Sequence, residues 1–379
     1  MTLSILMTLS ALHTAAASEP PSSAVAEGDD DEALVDDDAA LAIINGEPAT
    51  SDDYPMAGAM ILDAFLDMGS FGSGNVRLFT CSTTLIAPDV VLLAAHCVDE
   101  DSYTYGFGEL RDMDIRWTRQ ADLTDHDGSR IADWPDDAVP AWDWVTHPEW
   151  DLFELGTGIG QNMDLALLFL ETPVLDVPHA YLPTPDEALL IEDGQEVAVV
   201  GWGQQVATSG QQQPPAGTYA LKQMGMSYIN ELGDAEFQVG GVQEDVRKCH
   251  GDSGGPSFAW FENELYAEDM RIVGVTSHAY DRTDCNQKGG VDTRVDAYLE
   301  WIDAELRARC EDGTRAWCDV PGIIRPPEAE PEPEDEGDDP ADGDEKARLL
   351  GCASAPVQGG PAGWLAVLGL VALGVRRRR

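Results

Sequence analysis

From about residue 43 to residue 302 the chain runs in short apolar stretches separated by Gly, Pro, Asn and Asp. "TLIAPDVVLLAAHCV", "DLALLFL", "EVAVVGWG" and "MRIVGVTSH" are examples. Stretches of this length, rich in β-branched residues and bounded by turn formers, read as strands, so the pattern predicts an all-β domain. One segment breaks it. "RVDAYLEWIDAEL", residues 294–306, spaces Val295, Tyr298, Leu299, Ile302 and Leu306 at helical intervals, which predicts a helix closing the domain. No internal repeat is visible.

Outside this core the texture changes. "MTLSILMTLSALHTAAAS" has an apolar centre and an Ala15-x-Ala17 pattern, and residues 1–18 read as a secretory signal although no Lys or Arg precedes the apolar part. Residues 19–42 hold nine acids and no base, too acidic and too poor in large apolar residues to pack, and read as an exposed pro-segment. Between Asp99 and Pro140 lies a long polar insertion. Its Asp122, Asp125, Asp127 and Gly128 hint at a calcium loop, but the closing bidentate Glu is missing, and a solvated acidic loop is the preferred reading. "CEDGTRAWC" then predicts a small Cys310–Cys318 loop within an extension at 309–325. An acidic, Pro-rich linker follows at 326–350 and should be extended by self-repulsion. Residues 351–379 end in "WLAVLGLVALGVRRRR", an apolar run short for a full membrane span, with arginines that favour the cytoplasmic side.

The formal charge is −48, and residues 43–320 alone carry 50 acids against 15 bases. Nucleic-acid binding through phosphate neutralisation is excluded on that balance. High solubility, or a salty medium that screens self-repulsion, fits it. The seven cysteines, at 81, 97, 249, 285, 310, 318 and 352, fall into three local pairs and one left over, and none has zinc-ligand spacing. No metal or other cofactor is called for, and the chain is read as a monomer.

Chemistry concentrates in "KCHGDSGGPSF", residues 248–258. Gly251-Asp252-Ser253-Gly254-Gly255 satisfies the G-x-S-x-G pattern of α/β-hydrolases, but that fold needs its acid and then its histidine after the serine. Only His278 follows Ser253, and no strand–helix alternation surrounds it. Upstream, "LLAAHC" supplies His96 and "NMDLALLFL" supplies Asp164. The order His, Asp, Ser on an all-β background is the chymotrypsin arrangement.

Here the chain resembles the trypsin/chymotrypsin family of serine proteases. "IINGEPA" is similar to the mature N-terminus of that family, "LLAAHCV" to its histidine motif, "DLALLFL" to its aspartate motif and "CHGDSGGP" to its serine motif, with "GWG", "VGVTSH" and "GVDTRV" in the expected order. The resemblance covers about 43–308. It implies two antiparallel Greek-key β-barrels with a C-terminal helix, and a secreted endopeptidase cutting protein or peptide substrates. By the same resemblance His96, Asp164 and Ser253 are catalytic, and the N–H groups of Gly251 and Ser253 form the oxyanion hole. Asp252 pairs with the ammonium created at Ile43 by an activating protease, Cys81 joins Cys97, and Cys249 joins Cys285. Family precursors commonly carry Arg or Lys before the cut, whereas this chain has Ala42, so a trypsin-type activator is not expected.

The resemblance also implies a specificity pocket built from Arg247, Lys248, Ser277, His278, Ala279, Gly290 and Asp292. Arg247, six residues before Ser253, stands where trypsins carry Asp, so cleavage after Lys or Arg should be poor. Two outcomes stay open: Arg247 faces the pocket and favours Glu or Asp, or Asp292 neutralises Arg247 and the pocket takes small or uncharged residues. The tail resembles the sorting signals of myxobacterial surface proteins, with Cys352 as the processing or lipidation candidate and surface anchoring through the C-terminal segment. The rival to an active protease is a non-catalytic binding module on the same fold.

Overall fold

Strands of this chain bury both faces where the sequence is uniformly apolar and one face where it alternates. In the computed structural model, which describes residues 42–207, 214–215, 217–261, 270–281 and 285–326, β4 (Val90–Leu93) and β7 (Ala166–Leu170) are buried at every position. They sit side by side in a closed barrel with β2 (Ala57–Asp67), β3 (Ser73–Ala87), β5 (Glu109–Thr118) and β6 (Val139–Thr146), in the order β2-β3-β4-β7-β6-β5. All of these pairings are antiparallel. Strand β5 lies inside what the sequence suggested was a polar insertion. "ELRDMDIRWT" turns Leu110, Ile115 and Trp117 inward while its charged residues face out, Ile115 and Trp117 at the strand period of two and Leu110 across a bulge near Asp112, at φ +57, that shifts the phase. The polar loop is therefore confined to the stretch between β5 and β6.

The second barrel is made of β8 (Glu196–Gly201), β9 (Gln223–Leu232), β10 (Glu236–Val239), β11 (Pro256–Trp260), β12 (Met270–Ala279) and β13 (Gly290–Arg294). Strand β9 pairs with both β8 and β10 and thereby closes the ring, and the two-residue β1 (Glu47–Pro48) hangs on β9. Val197, Val199, Ile229, Phe237, Val239, Ala259 and Val273 fill its interior together with Ile43, which is fully buried. The architecture is two six-stranded antiparallel barrels with a C-terminal helix, the chymotrypsin fold.

The closing helix runs Leu299–Glu311, preceded by a 3-10 turn at Asp296–Tyr298, and so starts and ends five residues later than the apolar spacing suggests. Ile302 and Leu306 are its buried face, and they join the cluster formed mainly by the first barrel. Its extra turn carries no core residue. Asp303–Arg307 and Glu305–Arg309 ion pairs at i,i+4 support it instead, a signal that apolar periodicity does not register.

Beyond the helix the chain folds back. Arg315, buried, puts Nη2 2.7 Å from Asp89 Oδ1, and the Trp317 N–H donates to Asp89 Oδ2 at 2.9 Å. Ile323 is buried in the main core and its N–H donates to Asp303 Oδ1 at 2.9 Å. A buried ion pair gains little over apolar packing but is costly to break, so this contact ties the extension to one place on the domain. Three disulfides join Cys81 to Cys97, Cys249 to Cys285 and Cys310 to Cys318, as the sequence suggested, and they fit an oxidising compartment. The stretches read from sequence as a signal and, up to residue 41, a pro-segment, together with the linker beyond residue 326 and the tail with Cys352, lie outside the described residues. Among the described residues no helix is long and apolar enough to cross a membrane.

Candidate active site

His96 sits on the 3-10 turn Ala95–Cys97 that ends β4, where a buried alanine and a disulfide hold the turn on either side of it. Asp164 lies two residues ahead of β7, after Met163 at φ +50, a left-handed value that turns the chain toward the strand. The two side chains meet: His96 Nδ1 lies 2.7 Å from Asp164 Oδ2, and the His96 backbone N–H donates to Asp164 Oδ1 at 2.9 Å. Ser277 Oγ, from the second barrel, donates to Asp164 Oδ2 at 2.6 Å, and Thr293 Oγ1 donates to the Asp164 carbonyl at 3.1 Å. Asp164 is fully buried, so one carboxylate is held by both barrels.

The electrostatics follow from that geometry. Burial alone would push the His96 pKa down, but the attraction and hydrogen bond of Asp164, with the field of Asp99, outweigh it and raise the pKa above 6.5. Burial alone would raise Asp164, but His96 and the hydrogen bonds from His96 and Ser277 outweigh it and hold the carboxyl below its ordinary range.

Ser253 occupies the turn before β11, partly exposed beside buried neighbours. The turn is laced by its own backbone: the Asp252 N–H donates to Cys249 O at 3.0 Å and the Gly255 N–H donates to Asp252 O at 2.9 Å. Gly251 has φ +96, and a Cβ there would come within 2.8 Å of both Gly203 Cα and the Tyr219 ring, so only glycine fits. Ser82 Oγ on β3 donates to Gly251 O at 3.0 Å and accepts from the Trp202 N–H at 3.0 Å, which ties the serine turn to both barrels. Among the described residues no hydrogen bond joins Ser253 Oγ to His96, whose Nε2 lies 3.9 Å from Cys97 Sγ. Contacts of that kind often tighten only when substrate binds.

The family model named Trypsin matches residues 43–302. The chain belongs to the trypsin family. Melanization protease 1 of Drosophila melanogaster is 30% identical over 253 residues, covering 62% of this chain and 60% of that protein. Phenoloxidase-activating factor 3 of Holotrichia diomphalia is 27% identical over 276 residues, 70% of this chain and 72% of the relative. Human chymotrypsin-like elastase family member 1 is 30% identical over 244 residues, 61% of this chain and 83% of the relative. The protein is therefore a serine endopeptidase homologue.

Within this trypsin-family domain Asp252 is buried beside Ser253, its Oδ1 accepting from the Gly203 N–H at 2.9 Å and its Oδ2 from the Cys249 N–H at 2.9 Å. Burial pushes its pKa up to about 7, against the pull of those two hydrogen bonds and of Lys248. Ile44 bridges to Arg247, and the Arg247 N–H donates to Ile44 O at 2.9 Å, so the segment starting at Ile43 lies against the stretch that leads into the serine turn.

The residues assigned to the specificity pocket are paired differently from the sequence expectation. Asp292 does not neutralise Arg247; its Oδ2 lies 2.7 Å from Lys248 Nζ, and both side chains are buried. Lys248 Nζ also donates to Ser257 Oγ at 2.8 Å. Arg247, also buried, directs Nε to the Asp245 carbonyl at 3.2 Å. Ala279 pairs with Gly290 across β12 and β13, and a bulge between Thr276 and His278 re-aims Ser277 toward Asp164. The sequence marked Ser277 only as pocket wall and gave no role to Ser82 or to Glu236. The Glu236 carboxylate accepts from the N–H of Gly160 at 2.5 Å and from Asn162 Nδ2 at 2.8 Å, holding the loop ahead of Asp164.

The acidic loop does not converge on a cation site. Asp122 Oδ1 accepts from Thr124, Asp127 Oδ1 from the Ser129 N–H, and Asp125 pairs with Arg130. Among the described residues the tight His/Cys/Asp/Glu groups are Cys81–His96–Cys97 and Cys249–His250–Cys285, and in each the cysteines are joined as a disulfide.

Proposed function

We propose that this trypsin-family protein is an active serine endopeptidase, made as a secreted precursor, in which Ser253 is the nucleophile, His96 the base and Asp164 the group that orients it. The observation that carries the reading is the buried Asp164 carboxylate, which receives His96 Nδ1 at 2.7 Å. That bond fixes the imidazole with its proton on Nδ1, so Nε2 is free to take the serine proton and pass it to the leaving amine. The N–H groups of Gly251 and Ser253 stabilise the oxyanion, a contribution of about 3–4 kcal/mol per donor. A fluorophosphonate probe tests the assignment, because only an activated serine reacts. Labelling of the mature wild-type chain but not of Ser253→Ala supports it, and absence of labelling in both would favour a binding module.

We read the primary pocket as closed to Lys and Arg. The family resemblance assigns two cations, Arg247 and Lys248, to its base, and Asp292, the carboxylate in this set, is already bound to Lys248 at 2.7 Å. A substrate ammonium or guanidinium would find the carboxylate of this set already committed to Lys248. Reporter peptides ending in Arg, Glu and Ala at the scissile position separate the readings. Arginyl peptides should be cut at least ~100-fold less efficiently than the best of the others, about 2.7 kcal/mol in transition-state terms. Efficient arginyl cleavage that survives Arg247→Ala would overturn this.

Residues 351–379 are read as a surface tether, on the strength of the apolar run followed by four arginines. Truncation after Asp344 should release active enzyme from the membrane fraction. Unchanged partitioning of the truncated chain would count against the tether.

A further inference from the structure

His278 holds two acceptors at once. Its Nδ1 lies 3.0 Å from Ser277 Oγ, and its Nε2 lies 3.1 Å from the Gly158 carbonyl. Gly158 belongs to the loop that runs into Asp164, and its own N–H donates to Tyr280 O at 2.9 Å. The Ser277 hydroxyl proton is already committed, because Asp164 as a carboxylate can only accept, and it receives Ser277 Oγ at 2.6 Å. Ser277 Oγ can therefore offer His278 only a lone pair. The Gly158 carbonyl is also acceptor-only. Both ring nitrogens must carry hydrogen for all three bonds to exist together.

We propose that His278 is a positioning residue: a doubly protonated ring linking the far side of Asp164, through Ser277, to the loop 156–163. This rests on the reading that Asp164 orients His96. In the neutral ring one link fails. With the proton on Nδ1, Nε2 faces the Gly158 oxygen lone pair to lone pair. With the proton on Nε2, Nδ1 competes with Asp164 for the Ser277 hydroxyl. A cation donating to Ser277 Oγ polarises the hydroxyl and strengthens its bond to Asp164, which makes the carboxylate less basic and opposes protonation of His96. The bulge at Ser277 is what allows adjacent residues 277 and 278 to act on the same chain of bonds.

Among the described residues, the titratable groups linked to the ring or to its strand and facing loop include the following. Asp164 and His96 lie beyond Ser277. Tyr280 is on the same strand, its hydroxyl donating to Glu231 Oε2 at 2.6 Å with Lys288 Nζ 5.6 Å from its ring centre, and Glu236 anchors the loop from behind. None of these hydrogen-bonds the His278 ring, whose partners among the described residues are Ser277 Oγ and the Gly158 carbonyl.

Three variants of the mature enzyme separate the two links. His278→Phe keeps the ring and loses both. His278→Asn places an amide N–H near the Nδ1 position and keeps the Ser277 link, whereas His278→Gln places one near Nε2 and keeps the Gly158 link. The acid limb of the kcat/KM profile reads the first link, and hydrogen exchange of amides 156–163 reads the second. Phe should move the acid limb up by ~0.5 pH unit or more and accelerate exchange in the loop several-fold. Gln should share the limb shift with slow exchange restored, and Asn should show the smaller limb shift with fast exchange. A Phe variant with an unmoved acid limb would overturn the proposal even if its loop loosened, because a merely structural histidine would do that much. Fluorophosphonate labelling of the wild type is unaffected by that outcome, so failure of this link and failure of the protease reading are told apart.

Discussion

Replacing Ser253 with Ala is expected to lower kcat by roughly 10⁴–10⁶ while leaving the thermal unfolding curve unchanged. The size follows from how the site is divided. Asp164 and His96 are bonded to each other at 2.7 Å without any contribution from Ser253, so the substitution removes the nucleophile and leaves their arrangement in place. What remains is the oxyanion donors and substrate binding, which sustain only a small residue of catalysis. Asp164→Asn should cost about 10⁴ for a different reason, because an amide facing His96 Nδ1 favours the wrong tautomer. Ser253→Ala should lose activity at every pH. The wild type should show an acid limb above pH 6.5, since the pairing with Asp164 raises the pKa of His96. Steady-state kinetics on mature enzyme check both variants, and Ser253→Ala retaining more than about a thousandth of wild-type activity would rule out the assigned nucleophile.

The barrels and the site residues were legible in the sequence to different degrees. Strands such as "DLALLFL" were plain because residues buried on both faces are uniformly apolar. Strand β5 was not, because its outward residues are charged and its inward ones, Leu110, Ile115 and Trp117, are too widely spaced to dominate composition. His96, Asp164 and Ser253 stood out through motif order, and the structure places the first two in contact. Pairings between distant residues were not readable. Nothing in the spacing of Lys248, Arg247 and Asp292 says which cation takes the carboxylate. That is decided by the β12–β13 register, which sets Asp292 opposite Thr276. The Asp89–Arg315 pair was equally hidden, since its partners stand 226 residues apart and each looks like ordinary surface charge. Ser82 shows the same limit: a lone serine in a strand gives no sign that it joins Gly251 to Trp202.

Cutting the chain before Ile43 is expected to stabilise it, and to do so more at pH 8 than at pH 5. In the uncut chain Asp252 is buried with two backbone N–H donors, and burial raises its pKa to about 7. An unfolded aspartate titrates near 3.9. Between those values the folded chain binds more protons than the unfolded one, so stability falls as pH rises and levels off above the folded pKa. The difference of about three units corresponds to something on the order of 4 kcal/mol. Cleavage supplies an α-ammonium at Ile43, whose side chain is already locked in the second barrel. With a cation as partner Asp252 ionises without that penalty, its pKa drops, and the pH dependence disappears. Calorimetry on Ser253→Ala protein, which cannot digest itself, compares the two forms cleanly. The cut form should unfold a few degrees above the uncut form at pH 5, about a third of the full effect, and on the order of 10 °C higher at pH 8. Activity in the wild type should appear with the same cut, because the ion pair fixes the turn that carries Gly251 and Ser253. Equal unfolding temperatures at pH 8, or full activity in a chain that N-terminal sequencing shows still carries residues 19–42, would mean that Asp252 finds its charge partner elsewhere.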